Sequence, residues 1–184
     1  MDKEKALEKI AKEISECEEC KKDKFGLPVP GEGNPNAEIM FIGMSPGIEE
    51  SRCGKPFVGK SGKFLTELLK SIGIKREDIF LTSPVKYYQG RRNLRKEEII
   101  HGTKHLKKQI EIINPKLLVL LGNVAVSAIL NKKLNVMKLH GKIIEFDGRK
   151  CFITLHPAAG VRFSYMRKIM IKDFKKLEKI LKRL

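Results

Sequence analysis

Five consecutive apolar residues, Leu117-Leu118-Val119-Leu120-Leu121, constrain the fold of this chain more than any other stretch. An unbroken apolar run of this length suits a β-strand buried on both faces, the environment of a parallel sheet covered by helices. Two further runs, Ile39-Met40-Phe41-Ile42 and Ile79-Phe80-Leu81-Thr82, predict companion strands. Helical periodicity follows each of the three. Phe64, Leu65, Leu68, Leu69 and Ile72 form a stripe over 61–72 that stops at Gly73, Ile99 to Ile113 mark a helix over 96–113, and 124–130 reads as a short helix. Leu7, Ile10, Ala11, Ile14 and Cys17 share one face of a helix over 2–19, and Met170, Phe174, Leu177 and Leu181 share one over 165–183. Asp147-Gly148 between Lys142–Phe146 and Lys150–Leu155 predicts a hairpin. Segment 21–36 is dense in Gly, Pro and Asn and reads as loop. The alternation predicts a three-layer α/β/α sandwich around a mainly parallel, four-stranded central sheet, as a single domain over 1–184.

Composition narrows the functional classes. No apolar run approaches the ~20 residues of a membrane span. The charged start, Met1-Asp2-Lys3-Glu4-Lys5, has no signal-peptide core, so a cytoplasmic location is expected. Lys and Arg number 38 against 22 Asp and Glu, a net charge of +16. That excess points to a polyanion, chiefly nucleic acid, although a Lys-rich proteome gives a similar balance. No Gly-x-Gly-x-x-Gly motif is present, which counts against a generic nucleotide-binding enzyme.

The predicted strands carry their special residues at one end. Gly43-Met44-Ser45-Pro46-Gly47 follows the first, Ser83-Pro84-Val85-Lys86 the second, and His156-Pro157-Ala158-Ala159 closes the hairpin. Open α/β sheets bind ligands at these carboxyl ends. With Pro30-Gly31-Glu32-Gly33-Asn34-Pro35-Asn36-Ala37, Gly54-Lys55-Pro56-Phe57-Val58-Gly59-Lys60-Ser61-Gly62 and Asn114-Pro115-Lys116, the set resembles the uracil-DNA glycosylase superfamily, and within it family 4, the thermophile type. Each piece is weak alone; in register over nearly the whole chain they are specific.

The resemblance implies a monomeric hydrolase of base excision repair that flips uracil, or a related deaminated base, out of DNA and hydrolyses its N-glycosidic bond. Phe57 matches the residue that stacks on the flipped base, although Pro-Phe-Val alone reads equally as core. Gly43, Pro46 and Gly47 belong to the loop that contacts the base and orients water, with Ser45 the polar side chain within it. His156 matches the histidine that stabilises the leaving anion, as a neutral or a charged imidazole. Lys60 and Ser61 open a helix whose amides suit a DNA phosphate, or Ser61 is simply a cap. Lys86, Arg91, Arg92, Arg95 and Arg162 are candidate phosphate contacts, each also readable as a solvated charge. Val161 or Phe163 falls in the segment that wedges into the duplex.

The chain departs from the family in its first and second loops and in its cluster cysteines. Met44 stands at the catalytic place where family 4 has a water-activating Glu, and it can do no acid–base work. Ser45 stands where other branches of the superfamily carry Asp or Asn, and its hydroxyl can orient a water but is a poor general base; Ser83 replaces an Asn that reads the base edge. The family's four cluster cysteines are half absent: Cys17 and Cys20 match two, Tyr87 takes the third place, and the fourth falls near Gly102, beside His101. Cys53 and Cys151 lie in the wrong segments to substitute. The expectation is therefore no ordinary [4Fe–4S] cluster, with Tyr87 and its neighbours packed in its place and a mixed site through His101 as the remaining option. The alternative function is a weak or inactive nucleic-acid-binding member of the same superfamily. Arg91-Arg92-Asn93-Leu94-Arg95 holds no histidine, so covalent trapping of DNA through that loop is not expected.

Overall fold

The computed structural model describes residues 2–132 and 134–183. In chain order the elements are α1 (Lys3–Glu16), α2 (Glu18–Lys21), β1 (Glu32–Gly33), β2 (Ile39–Ile42), α3 (Ile48–Cys53), α4 (Lys60–Ser71), a 3-10 turn at Arg76–Asp78, β3 (Phe80–Thr82), α5 (Lys96–Ile113), β4 (Leu117–Leu121), α6 (Gly122–Leu130), α7 (Val136–Leu139), β5 (Lys142–Phe146), β6 (Arg149–Thr154), α8 (Pro157–Arg162) and α9 (Ser164–Leu181). One sheet runs β1-β3-β2-β4-β6-β5. Its four central strands are parallel, and β1 and β5 add antiparallel edges. The α/β sandwich is as expected, with two edge strands around the parallel four.

Strand order places the helices. From β2 the chain crosses to β3 on one side; from β3 it returns past β2 to β4, and from β4 it continues to β6. Right-handed crossovers therefore put α4 on one face and α5 and α6 on the other. The helix α9 joins α4 and α8, with Phe174 stacked on Phe41 of β2 at 6.2 Å. All five residues of β4 are buried, as its composition required. Asp147 and Gly148 both take positive φ, 52° and 71°, which matches the two-residue turn their identities suggested.

Local structure departs from expectation at four places, the first being β1, which forms inside the 21–36 segment read as loop. The N-terminal helix breaks at Cys17, whose ψ of 105° is extended, and resumes as α2. The segment after Gly47, for which the sequence marks no helix, forms α3, with Glu50 accepting the Gly47 N–H as a capping carboxylate. The segment after His156, for which the sequence marks no helix, is α8, begun by Pro157 at the first helical position.

Among the described residues no helix is long and apolar enough to cross a membrane.

Candidate active site and a cysteine–histidine cluster

The carboxyl ends of β2, β3 and β6 converge on an open cavity of about 230 Å³. Met44, Ser45, Pro46, Gly47, Phe57, Ser61, Ser83 and His156 all line it, so most residues read from the sequence come together. Gly43 lies just behind the lining residues, where an added Cβ would lie 2.7 Å from Phe57 Cζ, so glycine lets the loop pass close against that ring; His156 Nε2 would be 3.6 Å away, an ordinary contact. The Phe57 and His156 rings are near-parallel, with centroids 6.2 Å apart.

Phe57 is held under strain. Its φ of +53° is in the left-handed region, which is costly for an aromatic residue. Two contacts enforce it. Arg76 Nη1 donates to the Phe57 carbonyl at 2.8 Å, and Nη2 donates to the Pro56 carbonyl. Gly62 of α4 presses on the same carbonyl, where an added Cβ would lie 1.9 Å from the oxygen. The sequence offered no signal for Arg76, because a lysine- and arginine-rich surface hides a partly buried guanidinium.

Glu50 is the second residue that sequence reasoning missed. Its buried carboxylate accepts from the N–H groups of Gly47 at 3.0 Å and of Val58 and Gly59 at 2.9 Å each. One side chain thus ties the loop after β2 to the loop carrying Phe57. It also occupies amides at the start of α4, leaving those of Lys60 and Ser61 for any external anion.

His156 has a defined proton. Burial pushes its imidazole down to about 4, against a small opposing pull from Glu50, so it is neutral near pH 7. The Ala158 N–H donates to Nδ1 at 3.2 Å, which requires a lone pair there. The single proton of the neutral ring therefore sits on Nε2, beside Phe57 and Gly43. Of the two protonation states left open by the sequence, the fold selects the neutral donor.

The small hydroxyls differ. Ser83 Oγ donates to the Val85 carbonyl at 2.8 Å and presents only lone pairs elsewhere. Ser45 Oγ is buried with no hydrogen-bond partner among the described residues, and so is Gln89 Oε1 in the same cavity. Gln89 was not singled out in the sequence; its side chain reaches the cavity because Phe25 N bonds Tyr88 O at 2.9 Å and Val29 N bonds Lys86 O at 2.8 Å.

The expected phosphate contacts divide. Lys60, Arg91 and Arg162 are exposed. Lys86 is not: its side chain is fully buried, and Nζ donates to Thr82 Oγ1, Gln109 Oε1 and the Pro30 carbonyl at 2.7–3.0 Å. Burial pushes its ammonium down to about 7, while three oxygen acceptors favour the charged form. Lys86 is therefore an internal tie between β3, α5 and the 28–30 loop, and not a phosphate contact. Arg92 is likewise committed. It makes a two-pronged pair with buried Glu98 at 2.6 and 2.8 Å, joined there by Lys24 and by Arg95, which also pairs with Asp23. The Arg92 pair, foremost, holds the Glu98 carboxyl well below the usual carboxylate range. The segment after His156 presents Val161, Phe163 and Tyr165 to solvent, with the Arg162 guanidinium over the Phe163 ring at 5.1 Å.

A second group of reactive side chains lies away from this cavity. Cys17, Cys20, His101 and His105 bring four ligand atoms within 4.8 Å of one another, a group that could hold a metal ion. Tyr87 is buried beside Cys20, Ile10 and Ile14, as the sequence suggested. Two thiols and two imidazoles do not match the four thiolates of a [4Fe–4S] cluster. Cys53 is exposed on α3, and Cys151 is buried in β6.

The family model described as the uracil DNA glycosylase superfamily matches residues 30–184. Several curated relatives carry the name Type-4 uracil-DNA glycosylase. That of Saccharolobus solfataricus is 41% identical over 95% of this chain and 86% of its own length. The Sulfurisphaera tokodaii protein is 39% identical over 95% and 84%, and the Thermotoga maritima protein 35% over 98% and 97%.

Proposed function

Because this chain belongs to the uracil-DNA glycosylase superfamily, we propose that it excises uracil, or a related deaminated base, from DNA by base flipping and hydrolysis of the N-glycosidic bond. The observation that carries the reading is the Ala158 N–H donating to His156 Nδ1, which leaves Nε2 to carry the proton of the neutral ring in the cavity lining.

A base in this cavity stacks on Phe57. Nε2–H of His156 donates to the carbonyl oxygen next to the glycosidic nitrogen. As the bond between the sugar C1′ and that nitrogen lengthens, electrons move to the base, and the fixed donor stabilises the anion that forms. A neutral donor stays in place throughout. Ser83, its own proton given to Val85, accepts from the ring N–H of uracil and leaves the Watson–Crick edge of cytosine without an equivalent donor at that atom. The Gln89 amide faces the same volume and supplies further edge contacts. Ser45 Oγ is available to orient water, which adds to C1′ of the oxocarbenium ion and loses its proton to solvent. The product is an abasic site. Lys60, Ser61, Arg91 and Arg162 hold the DNA backbone, and Val161 or Phe163 fills the space the base leaves.

A second reading, binding with little or no cleavage, is favoured by Met44 and Ser83, which shorten the polar apparatus of the site. One experiment separates the two. Single- and double-stranded oligonucleotides bearing uracil, hypoxanthine or xanthine are incubated with the protein, and abasic sites are cleaved with alkali. Cleavage on at least one substrate, lost in His156→Ala, supports the glycosylase. Binding without product on all of them establishes the second reading.

A further inference from the structure

We propose that Cys17, Cys20, His101 and His105 form a closed, tetrahedral site for a single zinc ion that clamps the N-terminal helices onto α5. The pattern is Cys-x2-Cys on one element and His-x3-His on another. Two histidines four residues apart share one face of a helix, and two cysteines two apart are presented together when the backbone turns between them. The break at Cys17 supplies that turn. Its extended conformation ends α1, and Cys20 lies on the short helix that follows. Cys2His2 is an established ligand set for structural zinc, and four protein ligands leave no open position for chemistry.

The distances fit one ion. Zinc bonds of ~2.3 Å to sulfur and ~2.0–2.1 Å to nitrogen place the ligand atoms of a tetrahedron roughly 3.3–3.8 Å apart. Cys17 Sγ and His101 Nε2 are 3.1 Å apart, and all four ligand atoms lie within 4.8 Å. A cubane cluster inserts its own iron–iron edge between each pair of ligand atoms and needs a wider set of donors. Tyr87, packed against Ile10, Ile14 and Cys20, takes the room a third thiolate from the second loop would use.

An independent observation points the same way. His105 Nδ1 is buried and has no hydrogen-bond partner among the described residues. A buried ring nitrogen without a partner is costly, and a cation coordinated there removes the cost. The group is also placed to matter. From Cys20 the chain runs to Phe25, which pairs with Tyr88, and to Val29, which bonds Lys86 and lines the cavity. A clamp at Cys20 and α5 thus braces the wall that carries Tyr88 and Gln89.

The test is metal analysis of the full chain purified without added metal, with acid-labile sulfide measured alongside. About one zinc per chain with no sulfide is expected. Four irons with sulfide, or no metal with a Cys17–Cys20 disulfide, overturns the proposal. His101→Ala and His105→Ala each lose the zinc, whereas His156→Ala keeps it. His101→Cys, which preserves a zinc ligand, retains it and guards against misfolding of the alanine variants. Hydrogen exchange on wild-type protein gives a second readout. Stripping with a chelator raises exchange in 14–24 and 86–89, and zinc restores protection. Unchanged exchange on stripping refutes the clamp.

Discussion

His156 links the chemistry of the site to the stability of the fold in a way that acid titration measures. Its folded pKa is about 4, against an ordinary 6.5. Between those values the unfolded chain binds a proton that the folded protein refuses. Stability therefore rises with pH across this window, is complete above 6.5, and falls as pH drops toward 4. The gap sets a ceiling of roughly 3 kcal/mol, of which about 2 kcal/mol is lost between pH 7 and pH 5. Other groups titrate over the same range, so the comparison is with His156→Gln, which shares all of them. Guanidinium unfolding at pH 7 and pH 5 gives the double difference. With a slope of about 4 kcal/mol/M for a chain of this size, the wild-type midpoint falls by roughly 0.5 M more than that of the variant. Parallel midpoints would mean that His156 takes up its proton as readily folded as unfolded. The fixed Nε2 donor would then be wrong, and with it the account of the leaving group.

Four substitutions test other parts of the site. Ser45→Ala removes a buried hydroxyl with no partner, so it leaves stability within about 0.5 kcal/mol while cutting turnover about tenfold or more; equal turnover in single-turnover assays refutes its water-orienting role. Met44→Glu restores a carboxylate at the mouth of the loop and raises the rate on uracil at least about tenfold, unless water activation lies elsewhere, in which case the rate stays flat. Gly62→Ala drives a Cβ into the Phe57 carbonyl and costs about 1–3 kcal/mol in thermal or denaturant unfolding, with a weaker affinity for base-containing DNA. Glu50→Gln sets an NH2 group against N–H donors and loses about 2 kcal/mol; unchanged stability would show that the three amides find other acceptors.

The parts legible in sequence are those with a period. The α5 helix spans Lys96–Ile113 as its apolar spacing predicted, and the hairpin turns at Asp147-Gly148. Parallel strands announced themselves through unbroken apolar runs, and the residues at their ends converged on one cavity. The nine-residue α6 showed as a short apolar stretch, but α3 and α8 did not, because six residues are too few for a stripe to emerge. Charged residues misled for a different reason. A lysine in a basic loop reads as surface, and only Thr82, Gln109 and Pro30, brought together from three segments, turn Lys86 inward. Arg92 reads as free until Glu98 is seen buried beside it. His105 had a visible signal, the His-x3-His spacing to His101 on one helix face.

The pairing of the first helices with α5 also dictates an order of events as the chain is made. Cys17 and its neighbour His101 are 84 residues apart. At 5–20 residues per second, the two N-terminal thiols wait roughly 4–17 s for their partners to be synthesised. Through that interval the apolar stripe of α1 has nothing to lie against, and its cysteines are open to oxidants. The amino end is thus made well before the helix it packs against, so nascent-chain trapping before residue 105 should find both thiols reactive.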